Sequence, residues 1–229
     1  MRRIALIMAA MAMTATTAQA KPVRNIDAMR TIPGTSLQMV ESEGRSFFMS
    51  PNGRYVIKGQ LIDMWTGAKI EKVSDLENSA AKVDFQKMGL NLDDLMSLKY
   101  GTGPKEVVAF VAPGCPHCEL TMKQMVSLTE EYTFRLVPLP FFGEESKNHV
   151  MQLACNEEYQ EKAAEALILE DYSNLPVKST SCDMERLQRS ALTAQIMGIQ
   201  SVPYLVAHDG RVLMGSPEQG LEKFLKGGR

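Results

Sequence analysis

Four cysteines occur in the 229-residue sequence, and two of them are spaced for chemistry: Cys115-Pro116-His117-Cys118. The motif directly follows an unbroken apolar run, Val107 to Val111, and opens a stretch with helical periodicity. A Cys-x-x-Cys pair at the mouth of a helix puts both sulfurs in one turn, close enough for a disulfide. Unpaired backbone N–H groups and the macrodipole favour an anion at a helix N-terminus, so Cys115 is the expected thiolate. A thiolate is the nucleophile of thiol–disulfide exchange, and a lowered pKa also makes it a good leaving group. A thiol of pKa ~8.5 is only about 3% ionised at pH 7, whereas one of pKa ~5 is about 99% ionised. Cys115 is therefore expected as the exposed attacker and Cys118, deeper in the helix, as the resolving thiol. Pro116 fits the first helical positions, where no N–H is needed. His117 can donate a hydrogen bond to the thiolate or carry positive charge beside it. Either effect stabilises the reduced pair and makes it more oxidising, by about 1.4 kcal/mol for every 30 mV. Glu119, in the same turn, opposes that effect.

A second signal is Ser201-Val202-Pro203-Tyr204, a proline at the entry to a strand. Such a proline can mark a mere edge position. In a redox fold of this order it is instead the expected place for a cis peptide facing the two sulfurs. There it holds a strand edge open for an incoming peptide and keeps reactive side chains away from the disulfide. The remaining pair, Cys155 and Cys182, has neither Cys-x-x-Cys spacing nor a basic neighbour and reads as a structural bridge. Closing a loop of that length contributes roughly 3.5 kcal/mol in the chain-entropy description. A second redox pair passing electrons onward is the functional alternative. For Cys115 and Cys118 the alternatives are a structural disulfide, which would constrain little chain across one turn, and zinc. Zinc needs four ligands, and no second paired-ligand cluster exists: His149 and His208 are isolated and read as surface residues. Met122 and Met125, one turn apart behind the pair, read as packing rather than as a copper or substrate face. No metal and no cofactor is expected.

The elements that must position these residues follow from the patterning. From Ser36 to Trp65 the chain reads as strands separated by Gly44 and by Ser50-Pro51-Asn52-Gly53, an Asn-Gly hairpin signal. Gly59 reads as a bulge or a close backbone approach. This block is marginal as an independent core and needs a partner surface. From Asp75 to Leu98 the period turns helical, an exposed connecting helix broken near Gly89-Leu90-Asn91, and Gly101-Thr102-Gly103-Pro104 reads as a hinge. Beyond it come the buried strand Val107–Val111, a helix from Cys115 and a strand from Thr133 to Leu139. A helix-rich segment from Ser146 to Met197 leads to a hairpin turning at Asp209-Gly210 and a last helix ending near Leu225. That is an α/β layer order.

Composition narrows the classes further. With 45% hydrophobic and 23% charged residues, the chain can bury a core. Lys and Arg number 25 against 27 Asp and Glu, a net charge of −2, so no nucleic-acid partner is expected. Arg2 and Arg3, the apolar stretch Ile4–Met13 and Ala18-Gln19-Ala20 make a cleavable secretory signal over residues 1–20. A buried N-terminal helix is the alternative. All four cysteines would then reach an oxidising compartment, where thiols pair. No apolar run reaches the roughly 18 residues that a membrane-spanning helix needs.

Taken together, the mature chain resembles the periplasmic DsbC/DsbG family of protein disulfide isomerases. The resemblance is carried by Gly59-Gln60-Leu61-Ile62-Asp63, the Cys115–Cys118 motif, Cys155 and Ser181-Cys182-Asp183. Gly198-Ile199-Gln200-Ser201-Val202-Pro203 and Asp209-Gly210-Arg211-Val212 complete it. It implies an α+β cystatin-like N-terminal dimerisation domain, a linker helix, and an α/β thioredoxin fold with a helical insertion and a structural disulfide. Mapped onto the chain, these are residues 21–82, 83–103 and 104–229. The resemblance further implies a homodimer joined edge strand to edge strand, and an uncharged cleft for misfolded disulfide-containing proteins. A membrane thiol reductant of the DsbD type would keep the active pair reduced. The expected activity is isomerisation or reduction of non-native disulfides in the periplasm. Two departures from the family, Pro116-His117 and Val202 before Pro203, are instead similar to the DsbA dithiol oxidases. Net oxidation is thus the alternative activity, and a holdase chaperone using the dimer cleft is another. The leading domain, absent from DsbA proteins, weighs toward the isomerase.

Overall fold

The structure is a computed structural model that describes residues 25–156, 160–175 and 182–227; the expected leader and Ser181 lie outside them. The first sheet holds β1 (Ala28–Thr31), β2 (Gln38–Ser42), β3 (Arg45–Met49) and β4 (Val56–Ile57), antiparallel and in that order. Ser42 pairs with Arg45, so β2 and β3 are joined by Glu43-Gly44 alone, with φ of 51° and 72°. Positive φ at both central residues is what a type I′ hairpin requires. Asn52-Gly53 lies in the β3–β4 connection, where Gly53 takes a φ of 70°. Next come β5 (Leu61–Ile62) and β6 (Lys69–Ile70), which pair with each other; Gly59 lies in the irregular link before them, not in a bulge.

Helix α1 (Val73–Ala80) lays Val73 and Leu76 against Met39, Phe48 and Ile70, a small core separate from that of the second sheet. A sheet with one helix across it is the cystatin-like arrangement expected here.

The second sheet holds β7 (Leu98–Tyr100), β8 (Lys105–Val111), β9 (Tyr132–Pro138), β10 (Tyr204–Val206) and β11 (Val212–Met214), in the order β11-β10-β8-β9-β7. The central pair β8–β9 is parallel and the other pairings are antiparallel. Parallel neighbours need a crossover, and α2 (Pro116–Met125) supplies it. Residues Val107 to Val111 are all buried, which explains their unbroken apolar run. Between β9 and β10 are inserted α3 (Gly143–Ala154), α4 (Gln160–Leu169) and α5 (Met184–Ile196); α6 (Leu221–Leu225) closes the chain. This is the thioredoxin fold with a helical insertion.

Two expectations are corrected. Segment 83–103 is not a linker helix: it contains a short 3-10 turn, Leu92–Asp94, and then strand β7. Its apolar spacing has another cause. The break expected at Gly89-Leu90-Asn91 is present: Gly89 takes a φ of 71° and the Asn91 side chain accepts the Asp93 N–H at 3.1 Å. Val83, Leu95, Met96 and Leu98 are all buried in the core of the second sheet. Gly101–Pro104 is likewise no free hinge. The N–H groups of Thr102 and Gly103 donate to Thr129 O at 2.9 and 3.1 Å, and Thr133 Oγ1 donates to Gly103 O at 2.7 Å. Upstream, Val83 N–H donates to Gly210 O and Val212 N–H to Ala81 O, pinning the chain to the β10–β11 turn.

Candidate active site

Cys115 is the N-cap of α2, in an extended backbone conformation, with Pro116 at the first helical position. Proline needs no N–H there and its φ suits the helix start, so the motif begins its own helix. The two cysteines are joined as a disulfide, their Cα atoms 5.2 Å apart. Cys118 N–H donates to Cys115 Sγ at 3.1 Å, a bond that an anionic sulfur would strengthen. The expected exposure of Cys115 is corrected: it is 2% exposed and Cys118 0%. Gly114, Pro116 and His117 are exposed around it.

Val202–Pro203 is a cis peptide, and Val202 O lies 3.7 Å from Cys115 Sγ. The strand entry and the helix entry therefore meet at the disulfide, from opposite ends of the motif list. Tyr204, the next residue, is buried edge-on against Phe110 with ring centroids 6.1 Å apart. Burial pushes its hydroxyl pKa up to about 12, so it stays a neutral part of the platform. The first turn of α2 is fastened on its other side: His117 O accepts from Thr121 Oγ1 at 2.9 Å and from Ser216 Oγ at 3.0 Å.

Cys155 and Cys182 form a second disulfide, away from the motif, between the end of α3 and the residue before Asp183, the N-cap of α5. Met122 and Met125 are fully buried and serve packing. His149 stacks on Tyr172 at 3.9 Å, and His208 is exposed near Tyr132. Among the described residues no cluster of His, Cys, Asp or Glu has the makings of a metal site.

Residues that no motif announced complete the site. Glu170, directly after α4 within the helical insertion, accepts the N–H of Gly114 on both carboxylate oxygens, at 3.1 and 3.0 Å. Ser216 reaches His117 from beyond β11. Both depend on contacts far apart in the chain, and no spacing rule could have found them.

A thioredoxin-like domain family matches residues 92–226, and a disulfide bond isomerase protein N-terminal domain matches residues 9–76. The chain belongs to the thioredoxin-like family, in the DsbC-type group that joins such a domain to an isomerase N-terminal domain. It is a thiol–disulfide oxidoreductase. No curated protein matches it. Among solved structures, a disulfide interchange protein from Neisseria gonorrhoeae is similar at 23% identity, covering 60% of this chain and 96% of that one, TM-score 0.47. ScsC of Proteus mirabilis in a compact conformation is similar at 20% identity, covering 69% and 80%, TM-score 0.45. The thiol-disulfide exchange protein alpha-DsbA2 from Wolbachia pipientis is similar at 18% identity, covering 62% and 92%, TM-score 0.49.

Proposed function

We propose that this chain is a periplasmic, homodimeric disulfide isomerase in which Cys115 attacks and Cys118 resolves. The observation that carries the reading is the seat of Cys115: it caps α2, receives the Cys118 N–H at 3.1 Å, and lies 3.7 Å from the carbonyl before a cis proline. Helix dipole and N–H donor both favour the anionic sulfur. The thiolate attacks a wrong disulfide in a client, forming a mixed disulfide and releasing a client thiolate. A client thiolate, that one or another exposed by exchange within the client, then attacks the client sulfur of the mixed disulfide, forming a new client disulfide and expelling Cys115 as the thiolate it began as. When no client thiol arrives, Cys118 displaces the client, leaving it reduced and the enzyme pair oxidised. A membrane reductant of the DsbD type then restores the dithiol. Cys155–Cys182 takes no part and braces the insertion.

Replacing Cys115 with Ala is expected to abolish reactivation of a scrambled substrate. Recovery of that substrate at the unsubstituted rate would remove Cys115 from the mechanism. Net oxidation is the second reading, favoured by exposed His117 beside the sulfur and by Val202 before the cis proline. Trapping the pair in the periplasm separates the two: a mostly reduced pair supports the isomerase and a mostly oxidised one the oxidase.

A further inference from the structure

Glu170 touches the reactive segment at a sensitive point. Its carboxylate holds Gly114 N–H, the donor immediately before Cys115, with both oxygens. The residue follows α4 with a φ of 53°, a left-handed conformation disfavoured for a side chain with a Cβ, and from there it reaches Gly114. It faces Glu119 of α2 and both Glu145 and His149 of α3; nearby Tyr172 stacks on that histidine. Burial pushes the Glu170 carboxyl above the usual carboxylate range against the pull of the Gly114 N–H; Glu119 and Glu145 add to the rise and His149 opposes it.

We propose that Glu170 is a positioning residue of the disulfide chemistry: holding Gly114, it places Cys115 at the head of α2, and its negative charge there opposes the Cys115 thiolate. This rests on the reading of Cys115 as the attacking sulfur. The electron balance shows the consequence. Two glutathione thiols deliver two electrons, the Cys115–Cys118 bond breaks, and one glutathione disulfide forms. Cys118 keeps a proton, and the other proton goes to solvent when Cys115 is anionic. A carboxylate bound to the residue before that sulfur raises the energy of the reduced form alone, so ionised Glu170 draws the equilibrium toward the protein disulfide. It counters the helix terminus and His117, which draw it the other way. Protonated Glu170 still accepts from Gly114 but no longer opposes the thiolate. The opposition is therefore present above the raised carboxyl pKa and fades as pH falls through it.

The test uses the full chain equilibrated with reduced and oxidised glutathione from acid to neutral pH, with the Cys115 pKa followed by thiolate absorbance. Glu170→Gln keeps an acceptor for Gly114 and removes the charge; Glu170→Ala removes both; Glu170→Asp keeps the charge. Glu170→Gln is expected to shift the neutral-pH equilibrium toward the dithiol by about fivefold, the effect of one nearby charge screened as in bulk water. It is also expected to lower the Cys115 pKa and to converge with the unsubstituted chain at acid pH. Glu170→Asp should stay near the unsubstituted equilibrium. If Glu170→Gln superimposes on the unsubstituted chain at every pH while only Glu170→Ala departs, the hydrogen bond is purely structural and the proposal fails. A shift toward the disulfide overturns it equally. Should Glu170→Gln not fold, Glu170→Ala decides at neutral pH: a shift toward the dithiol with a lowered Cys115 pKa supports the proposal, and no shift or a shift toward the disulfide overturns it. An ordinary thiol pKa at Cys115 in the unsubstituted chain is a separate result; it overturns the reading of Cys115 itself, and this inference with it.

Discussion

At the level of single residues, the proposed stabilisation of an anionic Cys115 comes from backbone donors. Cys115 sits where a helix has spare N–H groups, and Cys118 N–H already points at its sulfur. Gly103, just before β8 and away from the cysteines, matters for a different reason. A Cβ at Gly103 would overlap the Glu131–Tyr132 peptide, because the chain there runs directly against the start of β9. That contact is backbone on backbone and has no flexible side chain to give way. Gly103→Ala is therefore expected to cost about 2 kcal/mol or more, read as a lower urea midpoint at unchanged slope. The redox equilibrium of the cysteine pair should not move, since the site lies at the other end of β8. A shifted equilibrium together with an unshifted midpoint would contradict this account.

Among the elements, the most telling link is buried Arg135 on β9. Its guanidinium bonds Glu106 on β8, and also Asp93 at 2.9 Å and Leu92 O at 3.0 Å in the turn that precedes β7. One side chain thus fastens the connecting segment to the central strands. The Arg135 hydrogen bond, and then its charge, hold the Asp93 carboxyl below the usual range. A depressed folded-state pKa contributes stability above the unfolded value and loses it as pH falls through the folded one. Asp93→Asn should accordingly lower the melting temperature at neutral pH and approach the unsubstituted chain as pH drops. Because the Asp93 side chain is 72% exposed, the neutral-pH difference is expected to be small. A difference that grows toward acid pH would refute the assignment. The Cys155–Cys182 bridge works on another element pair, closing the insertion between α3 and α5. Replacing both cysteines with Ala should remove roughly 3.5 kcal/mol of stability, the chain-entropy value for such a loop. The Cys115–Cys118 equilibrium should survive.

On the scale of the whole molecule, two cores of unequal size share one chain. The second sheet buries an extensive apolar core, whereas the first has only Met39, Phe48, Ile70, Val73 and Leu76. Its last strand, β4, leaves Val56 and Ile57 half exposed beside exposed Tyr55. An open strand edge with apolar side chains is a template for another strand, and a second copy of the chain is the proposed occupant. Sedimentation is expected to give a dimer for the mature chain and a monomer for one lacking residues 21–82. A dimer that persists without those residues would place the interface elsewhere. Among the described residues no helix is long and apolar enough to cross a membrane.

Local chemistry was legible in the sequence because it depends on near neighbours. Cys-x-x-Cys after an apolar run fixes two sulfurs to one helical turn, and Val107–Val111 could only be a strand covered on both faces. The turn at Asn52-Gly53 and the strand–helix order follow from the same short-range rules, whereas the two-residue hairpin at Glu43-Gly44 reads only as a separator at Gly44. The connecting segment was misread because its apolar spacing fits a helix equally well as a chain lying on a sheet. What decided between them was Arg135, the pairing of β7 with β9, and the Gly210 turn, all distant in sequence. The near-complete burial of Cys115 likewise arose only when β8 and β10 came side by side, whereas the cis peptide at Val202–Pro203 facing the sulfurs is expected from the order of the motifs. Spacing along the chain dictates which groups share a turn, but solvent access and long-range charge, Glu170 included, depend on which surfaces pack together.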